Sequence, residues 1–433
     1  MSAKNKIKTI KNLCDYIWHL EEKYNLLEIE INGIHPWAAF RMDLYYLIGK
    51  KYEVFDQELN MKLSSWNKII QSFQLLRNII RYQPKLKLKK VDVLIFSHER
   101  SKILNNKFID PYTHYLKANL LKDKISFLEF EPPYKGKHLR KKQDYTRYLD
   151  VILILRNIKS LFVKIKLNNT IKKTIQKLSE EINKEDNKFL DVKNTIISNT
   201  KKFKPTYDFY KYILQKTQPK KIYLVVSYGK GELIKAANEL NIEVIELQHG
   251  TFSKYHLGYS FPYKNNKKYL PTKFYVWNKY WKNLITLPIA KENVVLFPFQ
   301  YIEKEKEKYK KTKKVKDSLI IFSQGGITES MAEKIINNID YFKQYNMTFK
   351  LHPNEYHMIS RYTKLNQLKK MHNVTIVKDI DLYKNLASFE FQAGVFSTVL
   401  YEGIEFNCKT ILLDLPGIEY MSKFITKYNP KII

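Results

Sequence analysis

Two segments of the sequence place a histidine directly after an apolar run. Gln248-His249-Gly250-Thr251 follows IEVIEL, and His256 comes seven residues after His249. A neutral imidazole can take a proton from a hydroxyl near neutral pH, so His249 is a candidate general base. Gln248, Thr251 and His256 are candidates for acceptor or secondary contacts, where the acceptor is the substrate whose hydroxyl gives up that proton. The alternative is that each histidine is an ordinary hydrogen-bonded loop residue.

The second segment is Lys350-Leu351-His352-Pro353, which follows MTF. Lys350 and His352 are two residues apart, so on a strand their side chains point the same way. A cation and an imidazole could then contact one phosphate together. A surface lysine beside a capping histidine is the alternative interpretation.

A third segment combines glycine, two hydroxyls and a carboxylate in the order Gly394, Ser397, Thr398 and Glu402. Ser397 and Thr398 are candidate N-cap residues of the helix that follows. The free N–H groups and partial positive charge at a helix N-terminus bind phosphate. Glu402 lies one turn further on, where its carboxylate could accept hydrogen bonds from ribose hydroxyls. The alternative is a capped helix with one buried glutamate.

A fourth segment, Ser323-Gln324-Gly325-Gly326, follows LIIF and precedes another helical pattern. A Gly-Gly loop that opens a helix suits a phosphate or a glycosyl group. It is neither a Walker A sequence, which ends in GK[ST], nor GxGxxG. A plain tight turn is equally compatible with these residues.

An α/β fold must position these segments, because short apolar runs alternate with helical patterns along the chain. The runs lie at residues 91–97, 220–227, 242–248, 274–278, 294–299, 318–322, 347–349, 374–377, 389–393 and 410–416. We predict four regions: N-terminal helices (1–90), a Rossmann-like domain with a helical insertion (91–302), a charged linker (303–316) and a second Rossmann-like domain (317–433). Open parallel sheets bind ligands at the carboxyl ends of their strands, so a cleft between the two domains is the expected site. A polar loop at 98–100 also follows a strand.

Composition excludes several classes of protein. The 433 residues are 44% hydrophobic and 14% aromatic, which excludes a disordered chain, and only 12 glycines and 14 prolines exclude a collagen-like one. Two cysteines, Cys14 and Cys408, make neither a disulfide framework nor a four-ligand zinc site. With no signal peptide and no run of about 18 uncharged apolar residues, we expect a cytoplasmic protein.

The formal charge of +33 has two interpretations. One is a lysine-rich proteome, and the other is an anionic partner: a membrane surface, a nucleotide or an acidic polysaccharide. A sequence-specific nucleic-acid partner is not expected, because zinc-finger spacing, RNA-binding signatures and heptads after a basic helix are not found in the sequence.

LQHGT with His249, KLHP with His352 and GVFSTVLYEG with Ser397 and Thr398 resemble, in order and spacing, motifs of GT-B glycosyltransferases that build bacterial surface polysaccharides. The resemblance covers about residues 220–416, and NGIHPWAAFR also looks like the opening of capsule-biosynthesis proteins. One similar branch is the CDP-glycerol glycerophosphotransferases, and the other is the CMP-sugar users (sialyl- and Kdo-transferases). The loop has Gln-His-Gly where the first branch tends to have Trp-His-Gly. The acidic motif of many sialyltransferases is not matched by Lys230-Gly231-Glu232.

The resemblance implies a GT-B fold with extra N-terminal helices, the acceptor against the first Rossmann-like domain and the nucleotide-sugar donor against the second. His249 would be the base. His352, Ser397 and Thr398, with Lys350 and the Gly325-Gly326 loop, would neutralise the leaving phosphate, and Glu402 would hold the ribose. With His249 as the base, a single displacement would invert the sugar, and no metal or other cofactor is expected because the lysine, histidine and helix terminus supply the positive charge. The resemblance also implies a polysaccharide or lipid-linked acceptor and a cytoplasmic protein that can work at the inner face of the membrane. Polyol phosphate transfer is the first alternative, and a basic nucleic-acid or acidic-polymer binder is the second.

Overall fold

The computed structural model describes residues 7–54, 73–74, 76–80, 87–134, 136–184, 188–262, 268–284, 287–357 and 359–433. Of the N-terminal region predicted to be helical (1–90), residues 1–6, 55–72, 75 and 81–86 lie outside these ranges. Two parallel sheets dominate the described residues, and a small antiparallel hairpin accompanies the first sheet.

The first sheet contains seven parallel strands, each short and mostly buried. They are β1 (Val93–Phe96), β4 (Phe127–Glu131), β5 (Thr146–Tyr148), β6 (Lys221–Val225), β7 (Glu243–Leu247), β8 (Lys273–Val276) and β9 (Val294–Leu296). Their spatial order is β5-β4-β1-β6-β7-β8-β9. Strands β4 and β5 therefore lie on one side of β1, and β6 to β9 lie on its other side. The hairpin consists of β2 (Lys102–Leu104) and β3 (Lys107–Ile109).

The second sheet contains six parallel strands. They are β10 (Val315–Phe322), β11 (Asn346–Lys350), β12 (Val374–Val377), β13 (Phe389–Gly394), β14 (Lys409–Leu412) and β15 (Lys431–Ile432). Their order, β12-β11-β10-β13-β14-β15, is the 3-2-1-4-5-6 order of the Rossmann fold. The order reverses between β10 and β13, as it does between β1 and β6 in the first sheet.

Helices connect the strands and cover the sheets. They are α1 (Ile10–Lys23), α2 (Pro36–Lys51), α3 (His114–Lys122), α4 (Asp150–Ser160), α5 (Asn169–Asn183), α6 (Val192–Thr217), α7 (Gly231–Glu239), α8 (Lys279–Leu284), α9 (Gln300–Lys308), α10 (Thr328–Asn337), α11 (Ile339–Phe342), α12 (Thr363–Leu368), α13 (Leu382–Ser388), α14 (Thr398–Glu405) and α15 (Ser422–Tyr428). Local sequence sets several of their starts: Pro36 is the first residue of α2, and the Asp191 side chain caps α6. Of the charged stretch 303–316, residues 303–308 lie in α9 and 315–316 in β10. The predicted domain boundaries themselves remain predictions.

The N-terminal helices α1 and α2 pack with α5 and α6 around one apolar core. Inside it, Arg41 forms a buried ion pair with Glu21, with Nε and Oε1 2.6 Å apart. The Arg41 guanidinium also donates to the carbonyl oxygens of Leu257 and Ser260. The N-terminal helices therefore hold the chain segment that follows β7.

The half of the chain that holds the first sheet and the half that holds the second share one apolar core, and many of its side chains are aromatic. Phe252 and Trp281 come from the first half, and Leu400, Tyr401 and Phe424 come from the second. The ring centroids of Trp281 and Tyr401 are 4.8 Å apart. This shared core fixes the carboxyl edges of the two sheets against each other. Among the described residues, no helix has the length and apolar character needed to cross a bilayer.

Candidate functional site

Two of the predicted segments meet where the strand order of the second sheet reverses. Ser323–Gly326 follows β10, and the loop that carries Ser397 follows β13. The Gln324 side chain joins them, because its Oε1 accepts a hydrogen bond from the Phe396 N–H at 2.8 Å. Gly326 has φ = +98°, a conformation that favours glycine. Ser397 caps α14, as predicted, by accepting from the Val399 N–H at 3.3 Å.

The histidine after β11 lies beside the same loop. A Cβ on Gly325 would lie 3.7 Å from His352 Nδ1. The His352 N–H donates to Ser323 Oγ at 2.8 Å, and this hydroxyl donates to Glu355 Oε2 at 2.6 Å. Desolvation lowers the pKa of His352, and the charges of Lys350 and Arg100 lower it further against the opposing effect of Glu355. His352 is exposed, as are Gly325 and Gly326.

Lys350 and Glu402 border this group of loops. Lys350 Nζ donates to the Leu351 carbonyl at 2.9 Å, and desolvation lowers its pKa. Burial raises the pKa of Glu402, although a hydrogen bond from Tyr383 and the charge of Lys102 oppose the shift. Within the described residues, Glu402 Oε2 is buried without a hydrogen-bond partner. Such an oxygen can accept a hydrogen bond from a hydroxyl group of a ligand.

The first sheet has an equivalent point of reversal between β1 and β6. The loop after β1 carries His98 and Arg100, and the loop after β6 carries Tyr228 and Lys230. Val226, at the start of the second loop, has φ = +69°. A left-handed conformation is costly for a β-branched residue and is concentrated at functional sites.

His249 lies at the end of β7, half-buried, with its ring parallel to that of His98 at a centroid distance of 6.2 Å. Its Nδ1 is buried and has no hydrogen-bond partner in the described part of the chain. Burial lowers the pKa of His249 well below its usual value, and the neighbouring His256, His98 and Arg100 lower it further. The imidazole is therefore neutral at pH 7.

The two neighbouring histidines are neutral as well. The Arg100 N–H donates to His98 Nδ1 at 2.9 Å, which leaves the proton of this ring on Nε2. Burial, followed by Arg100, Lys230 and Arg140, lowers the pKa of His98 to about 3. Burial also lowers the pKa of His256 to about 4. His256 Nδ1, like His249 Nδ1, has no partner among the described residues.

Gln248 and Thr251 flank His249. Both polar atoms of the Gln248 amide are hydrogen-bonded within the protein: Nε2 donates to the Gly250 carbonyl at 2.9 Å, and Oε1 accepts from the Trp277 N–H at 2.9 Å. It therefore shapes the loop. Thr251 is half-buried beside it.

The sites of the two sheets meet face to face. A Cβ on Gly250 would lie 3.4 Å from Thr398 Oγ1, so the histidine loop after β7 touches the start of α14. Arg100 hydrogen-bonds to Tyr112, whose hydroxyl donates to the His249 carbonyl at 2.9 Å. The Arg100 charge also acts on His352 and Glu402 in the second half. The Arg100 guanidinium therefore lies within electrostatic range of His249, His352 and the Glu402 carboxylate.

Two parallel sheets of Rossmann type meet with the carboxyl ends of their strands facing one another. The chain has the GT-B fold. The structure thus brings together His249, His352, Gly325, Gly326, Ser397 and Thr398, with Lys350, Glu402 and His256 around them. Sequence reasoning left Arg100 and Lys102 out of the site. Arg100 did carry a signal, because it follows a strand directly.

Metal ligands do not cluster in the described ranges, where groups of three or more His, Cys, Asp or Glu suited to a metal ion are not found.

No family model and no curated protein matches the sequence. Among solved structures, the UDP-GlcNAc 2-epimerase from Methanocaldococcus jannaschii is similar at 10% identity and a TM-score of 0.46, over 79% of this chain and 88% of that chain. The UDP-GlcNAc 2-epimerase from Neisseria meningitidis bound to UDP-GlcNAc has 12% identity and a TM-score of 0.42, over 75% and 83%. A spinosyn rhamnosyltransferase complexed with spinosyn aglycone has 8% identity and a TM-score of 0.42, over 79% and 86%. Similarities this low carry no argument about function, and the fold assignment rests on the strand order.

Proposed function

We propose that the protein is a glycosyltransferase. It would move a sugar from a CMP-, CDP- or UDP-linked donor to a hydroxyl of a growing capsular or lipopolysaccharide glycan. The observation that carries the proposal is the approach of Gly250 to Thr398, which brings the loop that carries the neutral His249 imidazole to the capped start of α14. A proton acceptor and a phosphate-binding element at one place are what sugar transfer from a nucleotide requires.

The donor would bind to the second half. The exposed Gly325-Gly326 loop and the N–H groups at the start of α14 offer a place for the phosphates. Positive charge would come from Arg100 and Lys350, with His352 as a hydrogen-bond donor. The Oε2 of Glu402, which is buried and lacks a hydrogen-bond partner in the described part of the chain, would accept a hydrogen bond from a ribose hydroxyl.

His249 would act as the general base. As the acceptor oxygen forms its bond to the anomeric carbon, the hydroxyl proton passes to the imidazole and the bond to the phosphate oxygen breaks. The electron pair of that bond stays on the nucleotide phosphate, where Arg100, His352 and the helix N-terminus stabilise it. A single displacement of this kind inverts the configuration at carbon. The anomeric carbon is the electrophile, and the protein's own positive charges stabilise the departing phosphate, so the proposal includes no metal or further cofactor.

The experiment has two parts. A thermal-shift screen over CMP, CDP, UDP and activated sugars should show stabilisation by one nucleotide class, because a ligand that binds only the folded state stabilises it. Mass analysis should then identify a glycoside product. A phosphodiester product would show polyol phosphate transfer instead. Steeply salt-dependent binding of nucleic acid, without nucleotide protection, would indicate a polymer-binding protein.

His249→Ala is the direct test of the base. We expect turnover to fall by about 10²–10⁴-fold, the usual contribution of a general base, while nucleotide protection persists. His372→Ala is the matched control, because His372 is exposed and precedes β12 at the amino end of the sheet. Near-normal turnover in His249→Ala would remove His249 from this role.

A further inference from the structure

The segment after β5 carries large apolar side chains on the outside of the protein. Ile158, Leu161 and Phe162 are 52%, 77% and 80% exposed. Leu161 is the C-cap residue of α4 and keeps helical φ and ψ, and its N–H donates to the Ile158 carbonyl at 3.2 Å, so Ile158 lies next to the two residues that follow the helix. We call these three residues the apolar tip.

The tip is held in place on both sides. Val151 and Leu155 on α4 pack against the core of the first sheet, and Ile165 and Leu167 pack against the core of the N-terminal helices. The Asn32 side chain further fixes the returning chain, donating to the Lys164 carbonyl at 2.7 Å and accepting from the Lys166 N–H at 3.1 Å. The exposed position of the tip is therefore set by the packing on either side of it.

The stretch of chain that contains the tip is basic. Residues 151–179 contain no aspartate or glutamate, and their basic residues are Arg156, Lys159, Lys164, Lys166, Lys172, Lys173 and Lys177. The six lysines make none of the ion pairs seen among the described residues. All six are exposed.

We propose that the apolar tip and its lysines dock the protein onto an anionic lipid bilayer. Apolar side chains entering the headgroup region, together with lysines facing anionic lipid, are the chemistry of interfacial membrane binding. A second copy of the chain would place this basic surface against itself, which like-charge repulsion opposes. Nucleic acid would leave three large apolar side chains in water.

The test measures sedimentation of the full-length protein with lipid vesicles. We expect it to sediment with phosphatidylcholine vesicles that contain about one-third phosphatidylglycerol, and much less with pure phosphatidylcholine. The Leu161→Glu/Phe162→Glu double variant should bind the anionic vesicles at least about tenfold more weakly, because two apolar groups no longer enter the bilayer. Leu161→Ser/Phe162→Ser checks the same loss without added charge, and circular dichroism confirms folding.

Phe189→Glu is the matched control, since Phe189 is 75% exposed and lies outside the tip. It should bind like the unmodified protein. The proposal is overturned if the unmodified protein stays in the supernatant, if both tip variants bind normally, or if pure phosphatidylcholine binds equally well. It is also overturned if light scattering shows an oligomer that the tip variants dissociate. No sugar or nucleotide enters the test, so its result is independent of the proposed reaction.

Discussion

Replacing Glu246 with glutamine is expected to remove a loss of stability that develops as the pH rises. Glu246 lies on β7 and is fully buried, and the Tyr259 hydroxyl donates to its Oε1. Burial raises the pKa of Glu246 from 4.5 to about 7, although hydrogen bonds from Ser227 and Tyr259 and the charge of Lys230 act in the opposite direction.

The size and sign of the effect follow from that shift. The unfolded chain loses this proton near the ordinary glutamate pKa, whereas the folded protein keeps it until about pH 7. Between these values the folded state binds more protons, so its stability falls as the pH rises through the window. Two to three pKa units at about 1.36 kcal/mol each amount to roughly 3 kcal/mol above the window. In Glu246→Gln this loss is absent.

Urea unfolding at about pH 5 and about pH 8.5 measures the difference. The variant should gain stability relative to the unmodified protein at the higher pH and not at the lower. Part of the pH dependence should remain, because burial also raises the pKa of Glu232 to about 7. Glu243→Gln, at the half-buried start of the same strand, should keep the original pH dependence. Equal pH dependence in Glu246→Gln and the unmodified protein would refute the reasoning.

Two further substitutions test the loops of the site. Arg100→Gln should weaken nucleotide binding about tenfold or more by calorimetry, because a hydrogen bond to a charged group contributes about 1.5–3 kcal/mol. Arg361→Gln is the control, since Arg361 is another exposed arginine. Unchanged affinity in Arg100→Gln would remove Arg100 from the proposed donor site. Gly417→Ala should lower the melting temperature by several degrees more than Gly33→Ala, about 1 kcal/mol or more. Both glycines have positive φ, but only at Gly417 would a Cβ lie 2.2 Å from Phe396, whereas nothing lies within 4 Å at Gly33. Equal losses would contradict the contact.

Apolar runs were sufficient to predict the strands that hold the site, because parallel strands are buried on both faces. The sequence analysis did not predict β4, because its sequence, FLEFE, contains two carboxylates and is not a continuous apolar run. In the structure Glu129 Oε1 accepts from Lys117 Nζ at 2.6 Å, and Glu131 Oε2 accepts from Arg140 Nε at 2.9 Å. Their partners come from other elements, so local sequence could not show that these charges are buried in pairs.

The convergence of His249, His352 and Ser397 was a hypothesis that the loop positions made possible, since each follows a strand. Which loops face one another depends on strand order. Arg100 enters the site because β1 pairs with β6, more than a hundred residues away along the chain. The left-handed conformation of Val226 is likewise imposed by the folded structure and leaves no trace in the residue type.

The aromatic core shared by the two halves limits how they can move relative to each other. Swinging the halves widely apart would expose Phe252, Trp281 and Phe424 to water at about 25 cal/mol for each Å² of apolar surface. In the proposed reaction, substrate entry and product release are therefore expected to proceed through small displacements of the loops at the rim, while the aromatic contact stays in place.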